Sequence, residues 1–411
     1  MTGKASLFLV LGFSVIFFMM ARNMNSVSGD MESNYYGYYY RSVAHNIAVS
    51  GANMAACQLF FDKTWIAGYT NVSFCGGTLN VRIDSVNTYN RQITSVSNYM
   101  NFKDTVIVLM SPKNFAQYGN FFSSFGSVSA ATGDTFAGPF HVNDYLNVVG
   151  KPVFTGKVTT RLGLNPSTSK PVLLGGYESG VNIPLDFDTT SIRLAAYNSG
   201  KIFKDTTGAG KNTDLDITFN SNGTVSYKIN INNVGYTGVR TVPLTTLAPN
   251  GVIYVEKGNI YVRGTVNGQA TIVASKKGTS GSGNVYITSD VKYNKDPQTD
   301  ASSTDMLGMC GEQSVTLKYD ATRGDIDIQA SMFAQNSGFV VENYSSYPSA
   351  HAMRVYGGLI ASTIGATATY NAYNQPTHGY SYVHRFDNRF LTVVPPYFPQ
   401  TRYYKIISWY E

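Results

Sequence analysis

Charge is what this sequence has least of. Only 14 % of its 411 residues are Asp, Glu, Lys or Arg, fewer than intracellular enzymes usually carry. The basic residues are scattered singly, with Lys276-Lys277 the longest basic run, so a net charge of +6 builds neither a nucleic-acid stripe nor a polybasic membrane patch. Cysteine is nearly absent: Cys57, Cys75 and Cys310 exclude a disulfide scaffold and any paired Cys-x-x-Cys zinc site. If the chain is exported, Cys57 and Cys75 are the pair for the one bridge open to it, leaving Cys310 free and buried. Five histidines without a His-x-His or His-x-x-x-His pair argue against zinc. Neither a Gly-x-Ser-x-Gly elbow nor a phosphate-binding loop with Lys-Ser or Lys-Thr is present, and nothing calls for a cofactor. What abounds instead is Gly (39), Tyr (30) and Phe (23), beside many Asn, Ser and Thr. Gly and Asn punctuate turns, and aromatic and β-branched residues suit pleated, half-buried surfaces, so the chain is mainly β. Its length allows a large core and two or three domains.

The N-terminus departs from that pattern. From Leu7 to Ala21, LFLVLGFSVIFFMMA carries no charge, and with Ala5 and Ser6 the stretch approaches the roughly 17 to 25 residues that span a bilayer as a helix. A removed signal peptide would end in a small-residue cleavage site, whereas Ala21-Arg22-Asn23 is a poor one. No proline occurs from Arg22 to Asp62, and small or apolar residues recur three and four apart at Val43, Ile47, Ser50, Met54 and Cys57, beside Ala44, Ala48, Ala52 and Ala55. One helix from Lys4 to about Phe61 is expected, on the order of 85 Å long.

A long N-terminal helix, first wholly apolar and then amphipathic and Ala-rich, resembles that of the type IV pilin superfamily. Gly3 and Lys4 occupy the place of the prepilin-peptidase cleavage site, while Phe8 stands where pilins usually carry Glu. A plain membrane anchor and a removed signal remain as other readings of the same segment.

Beyond Trp65 helical periodicity nearly vanishes. TLNVRIDSV (78–86) and DTVIVL (104–109) read as strands, and Pro112 to Phe125 holds the only later stretch suited to a short helix. In FAGPFHVNDYLNVVGKPVFTGKVTT (136–160), apolar pairs alternate with Asn-Asp, Gly-Lys-Pro and Thr-Gly. Short strands broken by tight turns are what a β-solenoid requires. The same grammar returns from Val252 to Tyr293, with Gly258, Gly264, Gly268 and Gly283 between the apolar pairs. Residues 175–250 read as a large insertion or extra sheet. The motifs Gly-Pro-Phe-His-Val-Asn-Asp (138–144), Asp387-x-Arg389 and Pro395-Pro396-Tyr-Phe-Pro399 are similar to those of bacterial pilin-like surface proteins that carry a β-helical ectodomain on a pilin-type helix. That resemblance implies placement in the envelope more than an activity.

Candidate chemistry is thin. His141, Asn143 and Asp144 crowd together, but His141 and Asp144, three apart, point to opposite faces of a strand; an Asx turn, with His141 on a backbone carbonyl, is the plainer reading. Asp186/Asp188, Asp214/Asp216 and Asp325/Asp327 are spaced to project from one strand face, yet each pair offers Ca²⁺ two side chains where six to eight oxygens are wanted. Tyr35, Tyr36, Tyr38, Tyr39 and Tyr40 would cover nearly every face of a helix, which suits packing between subunits or a membrane boundary.

The expectation is therefore a non-enzymatic structural subunit of a type IV pilus-like filament, with one long N-terminal helix and a β-solenoid-like head. Leu7, Leu9, Leu11, Phe13, Ile16, Phe17 and Phe18 form the membrane and filament-core surface. Segments are expected at 1–62 (helix), 63–133 (connecting α+β), 134–300 (solenoid, with the insertion around 175–250) and 301–411 (C-terminal β). Expected partners are copies of itself, the inner membrane before assembly, the pilus assembly machinery and surface glycans, with no nucleic acid. The precursor would sit in the membrane and the filament outside the cell. A non-polymerising adhesin and a carbohydrate-active β-helix enzyme are the rival readings.

Overall fold

One helix, α1 (Thr2–Phe61), runs unbroken for 60 residues, about 90 Å at the α-helical rise. It stops where Asp62 turns its carboxylate onto the Thr64 amide (2.9 Å) and hydroxyl (2.7 Å), a local bond that competes with continued helix. The computed structural model describes the chain except Met1, Lys63 and residues 87–89, 186–188, 208–209 and 372–374, and the side chains of Thr2, Gly3, Ala5, Thr189, Thr190, Arg402 and Tyr403. Beyond α1 the described chain is mainly β. It divides into two compact units, residues 1–112 with 402–411, and residues 113–401. The expected segments 63–133 and 301–411 each contribute to both units.

In the first unit α1 lies on a five-stranded sheet. The strands Tyr69–Phe74, Gly77–Ser85, Arg91–Tyr99 and Phe102–Asn114 pair antiparallel in sequence order, and Gln400–Tyr410 lies beside the fourth. Alternation places Leu79, Val81 and Ile83 of one strand, and Ile93, Ser95 and Ser97 of the next, on the buried face. The helix answers with Ala44, Ala48, Ala52 and Ala55, all fully buried. Small side chains let the backbones approach closely enough for Ser95 and Ser97 to donate hydroxyl hydrogen bonds to the carbonyls of Ala48 (2.7 Å) and Ala44 (2.6 Å). At Gly51 a Cβ would lie 2.4 Å from Leu79 Cδ1.

The second unit is built on parallel pairing. Strands at Lys201–Phe203, Val252–Glu256, Gln269–Ser275 and Met306–Gly311, then parts of Ile326–Val341 and Ala350–Ile364, pair in that order, followed by Asn120–Ser124, Phe140–Val142, Val158–Thr160 and Tyr177–Ser179. One register holds across all ten: Ile202, Tyr254, Val273, Cys310, Phe333, Ile360, Phe121, His141, Thr159 and Glu178 form a single row. The stack is out of chain order, because 120–124 sits beside 359–363 and not beside 201–203. Residues 180–200, including a helix α2 (Thr189–Ser199), carry the chain from one end of the stack to the other. A second parallel row runs Leu215, Ile260, Val285, Val315, Phe339 and Ile364. Because Thr213–Phe219 pairs with Ile260–Val266, part of the supposed insertion belongs to the stack itself. Antiparallel strands at Thr224–Ile231, Arg240–Pro243 and Ala368–Tyr370 interrupt the parallel pattern.

Two apolar layers hold this unit. Inside, Ile253, Ile272, Met309, Met332 and Leu359 line up in register, buried Asn120 stands between Leu359 and Phe140 in the same row, and the Phe136 and Phe154 rings stack at 4.9 Å. On the other face, Tyr254, Val273, Cys310 and Phe333 are covered by Ile192, Ala195 and Ala196 of α2 and by Phe386, Phe390 and Phe398. Asp387 and Arg389 fasten that covering segment: Arg389 pairs with the buried Asp387 carboxylate at 2.7 Å and donates to the carbonyls of Ser303 (2.7 Å) and Asp305 (3.0 Å). At one corner the backbone repeats so closely that only glycine fits: a Cβ on Gly156 would lie 2.2 Å from Gly138 O, and one on Gly175 2.2 Å from the Gly156 carbonyl carbon. The short helix expected within 112–125 is a single 3-10 turn, Phe115–Gln117, capped by the Asn114 side chain.

Candidate assembly interface

The two halves of α1 meet different surroundings. From Leu7 to Met24 each large apolar side chain is between 46 % (Val15) and 73 % (Phe8) exposed, including Leu7, Leu9, Leu11, Phe13, Ile16, Phe17 and Phe18. From Leu7 to Ala21 the described chain thus leaves bare a helical surface uncharged all the way round, whereas monomeric soluble proteins rarely expose large contiguous apolar patches. It is the single helix among the described residues long and apolar enough to cross a membrane. The hydroxyl in its middle is satisfied internally, Ser14 donating to the Val10 carbonyl at 2.9 Å, so from Leu7 to Ala21 the described helix offers a hydrocarbon environment no open side-chain donor. Lys4 is exposed ahead of it.

The tyrosines divide. Tyr40 turns to its own sheet, with ring centroids 5.8 Å from Tyr99 and 6.0 Å from Phe102, and Tyr36 stacks on it one turn earlier at 5.9 Å. Tyr35, Tyr36, Tyr38 and Tyr39 stay 46 to 75 % exposed. Four of the five predicted packing residues therefore remain open, and the fifth is spent inside the subunit.

The Cys57–Cys75 bridge is not formed; both are free and exposed, and Cys310 is free and buried. Geometry explains this. The Cys75–Gly76 turn lies at the level of Ile47, since a Cβ on the adjoining Gly77 would be 2.9 Å from Ile47 Cδ1. Cys57 is ten residues farther along α1, about 15 Å up the axis, against the roughly 5.5 to 6 Å between Cα atoms that a disulfide needs.

Among the described residues, none of the catalytic candidates assembles a site. His141 is buried against the Phe121 ring (4.8 Å) and bonds the Thr159 hydroxyl (2.7 Å) and Asn143 Oδ1 (2.9 Å), not a backbone carbonyl. Burial, aided by the positive charge of Lys113 and opposed by the bond to Asn143, pushes its pKa down to about 4. Asn143 also accepts from the Ile183 amide (2.9 Å), fastening the segment that leads to α2. Asp144 accepts from the Ser124 hydroxyl (2.8 Å) and the Tyr145 amide (2.8 Å). The acidic pairs are already answered: Arg263 reaches Asp216 at 2.8 Å, Asn259 bonds Asp214, and Arg354 bridges Asp325 (2.6 Å) and Asp327 (3.3 Å). Asp186 and Asp188 lie outside the described residues. Among the described residues no three His, Cys, Asp or Glu side chains group to hold a metal ion.

Sequence reading missed the hydroxyl contacts of Ser95 and Ser97 and the helix α2. The spacing of Ile192, Ala195 and Ala196 marks that helix, with Gly200 at its end donating to the Ala195 and Ala196 carbonyls.

No family model matches the sequence, and no curated protein is similar to it at a significant level. Among solved structures, the competence-associated pilin ComZ from Thermus thermophilus aligns over 90 % of this chain and 97 % of its own, at 11 % identity and a TM-score of 0.30. A match that loose carries no structural argument, and the reading of this chain rests on its own geometry.

Proposed function

We propose that this protein is a structural subunit of an extracellular type IV pilus-like filament. It would insert in the inner membrane through the first half of α1 and then assemble by packing that half against copies of itself. The observation that carries the reading is the contrast along one continuous helix: from Ala44 to Leu59 one face is buried on the subunit's own sheet, while Leu7 to Ala21 is bare and uncharged on every side. A bilayer covers such a surface first, and a bundle of identical helices covers it once the subunit leaves the membrane. Tyr35, Tyr36, Tyr38 and Tyr39, just beyond the apolar stretch, suit a boundary where one end of each ring is wet.

In the same reading the second unit is a β-solenoid wound in two runs and displayed outward, where it attaches the filament to surface glycans. Supporting it are the single register of ten parallel strands and the glycine corner that recurs at 138, 156 and 175. The protein acts mechanically and not as an enzyme, consistent with acidic pairs neutralised by Arg and Lys. Processing between Gly3 and Lys4 by the assembly machinery belongs to this proposal.

The test is to shear filaments from the cells that make the protein, image them, and determine its N-terminus by mass spectrometry. Filaments composed of this chain support the proposal, and a start at Lys4 adds pilin-type processing. Recovery solely as a detergent-extracted membrane monomer contradicts it and favours a non-polymerising adhesin.

A further inference from the structure

The helix α2 and the strand ends beside it gather charge that the filament reading leaves unused. Arg193 and Tyr197, four residues apart, share one side of α2. Lys204, one residue past the strand Lys201–Phe203, donates from Nζ to the Tyr197 hydroxyl at 3.2 Å and stands 5.3 Å from its ring centroid. The Arg193 guanidinium lies 5.7 Å from the same centroid. Lys277, in the turn after Gln269–Ser275, pairs with Glu256 Oε1, and Arg193 Nη2 reaches Glu256 Oε2 at 3.3 Å. Glu256 is buried, whereas Arg193, Lys204 and Lys277 are exposed and the Tyr197 side chain is half exposed.

Three cations thus converge on one buried carboxylate and one phenol, which leaves two positive charges in excess. The other acids close by in sequence are already matched. Glu312 accepts from the Ser275 hydroxyl (2.9 Å) and the Lys276 amide (2.6 Å), with the Lys276 ammonium on the adjoining Gln313 at 3.3 Å. Asp205 accepts from the Thr207 amide (2.9 Å) and the Lys211 amide (3.0 Å) and lies in the field of the Lys211 charge. Hydrogen bonds from Lys204 and then Arg193 hold the Tyr197 phenol below its usual pKa, as a site of positive potential does.

We propose that this patch binds an acidic sugar of a surface polysaccharide, a pyranose ring that bears a carboxylate. The charge is complementary: the guanidinium keeps donors beyond the one turned to Glu256, each ammonium carries three, and both bond carboxylate oxygens strongly. The half-exposed Tyr197 ring supplies the second element, because the slightly positive C–H bonds of a pyranose rest on the negative face of an aromatic ring. One ring beside one knot of cations suits a single acidic residue. A nucleic acid is instead held by cations laid out in a stripe along many phosphates, and the other basic residues of this chain are scattered. The inference rests on the reading of the second unit as the part that attaches to glycans, and it names the site and the class of glycan.

The full chain in detergent is titrated with polygalacturonate, alginate and hyaluronate as carboxylate-bearing probes, with dextran as a neutral polysaccharide and single-stranded DNA as a polyanion of another kind. At least one of the three acidic polymers should bind more tightly than dextran or DNA. Arg193→Gln with Lys204→Gln should weaken that binding by about tenfold. Tyr197→Ala should weaken it by about fivefold, and Tyr197→Phe, which keeps the ring, by less. These side chains are exposed, so thermal melting should stay unchanged, and Lys277→Gln repeats the charge test without touching α2. Acidic-polymer binding that survives the substitutions, or dextran bound in preference, overturns the site and leaves glycan attachment standing. DNA held as tightly as the acidic polymers shows charge without sugar recognition and also overturns the site. A chain that binds none of the polysaccharides overturns both the site and the attachment reading.

Discussion

Residues 7–24 and 44–59 belong to one uninterrupted helix, yet they solve opposite problems. The second stretch presents a row of alanines, one residue deep, to a sheet that supplies matching leucine, valine and serine side chains. The first offers Leu, Phe, Ile and Met all round and finds no apolar partner among the described residues. Small residues specify one close neighbour; bulky apolar residues on every face specify an apolar surrounding. The difference teaches that hydrophobicity alone does not tell docking from insertion. What decides is whether the small residues form a stripe that a sheet can reach.

Five substitutions or conditions would break or sharpen that contrast. Ile16→Asp puts a carboxylate at the middle of the bare half, which costs about 3 kcal/mol at the centre of a membrane helix. It should abolish membrane recovery and assembly while the near-ultraviolet circular dichroism of the folded units stays unchanged.

Acid should separate the two units. An ordinary histidine takes up its proton near pH 6.5, but burial holds His141 and His384 neutral down to about pH 4. Between those values the unfolded chain binds protons that the folded second unit does not. Stability fully present above pH 6.5 is therefore lost as pH falls toward 4, by up to about 3 kcal/mol for each histidine. The described part of the first unit buries no histidine to that depth. Hydrogen exchange followed by mass spectrometry at pH 7 and pH 4.5 should find opening concentrated in residues 113–401.

Gly51→Ala should cost about 1 to 3 kcal/mol, because the new methyl meets Leu79 and Ser95 at 2.4 and 2.6 Å. Gly12→Ala, with nothing within 4 Å, should be neutral or stabilise the helix by about 0.5 to 1 kcal/mol. Thermal melts in detergent compare the two, and equal effects would erase the distinction between the halves. The smallest change expected is Ser97→Ala, which removes one buried hydroxyl bond to the Ala44 carbonyl and should lower stability by about 1 kcal/mol.

Much of this was legible in the sequence because it depends on local periodicity. The alternation of Leu79, Val81 and Ile83, the four-residue rhythm of Ala44, Ala48 and Ala52, and the uncharged run from Leu7 each report directly what a residue faces. The stacking order was not legible. Period-two alternation assigns Phe122 and Ala361 to the interior but says nothing of their being neighbours across 238 intervening positions. The helix α2 hid for a related reason: Ile192, Ala195 and Ala196 are too few apolar residues to stand out until the surface they cover is known. His141 drew notice as chemistry because its neighbours in sequence are polar, while in space it lies against Phe121 and Tyr118. The Cys57–Cys75 pairing failed because proximity in sequence does not report axial position along a helix.

The central claim is that the bare half of α1 is covered by copies of itself. A cryo-electron-microscopy reconstruction of filaments sheared from cells tests this most directly, at a resolution that separates individual helices. The prediction is a core of parallel helices in which Leu7 to Met24 touch the same residues of neighbouring copies, with the sheet of the first unit outside that core. A filament whose core excludes this segment, or preparations in which the protein occurs only in membrane fractions, would contradict it.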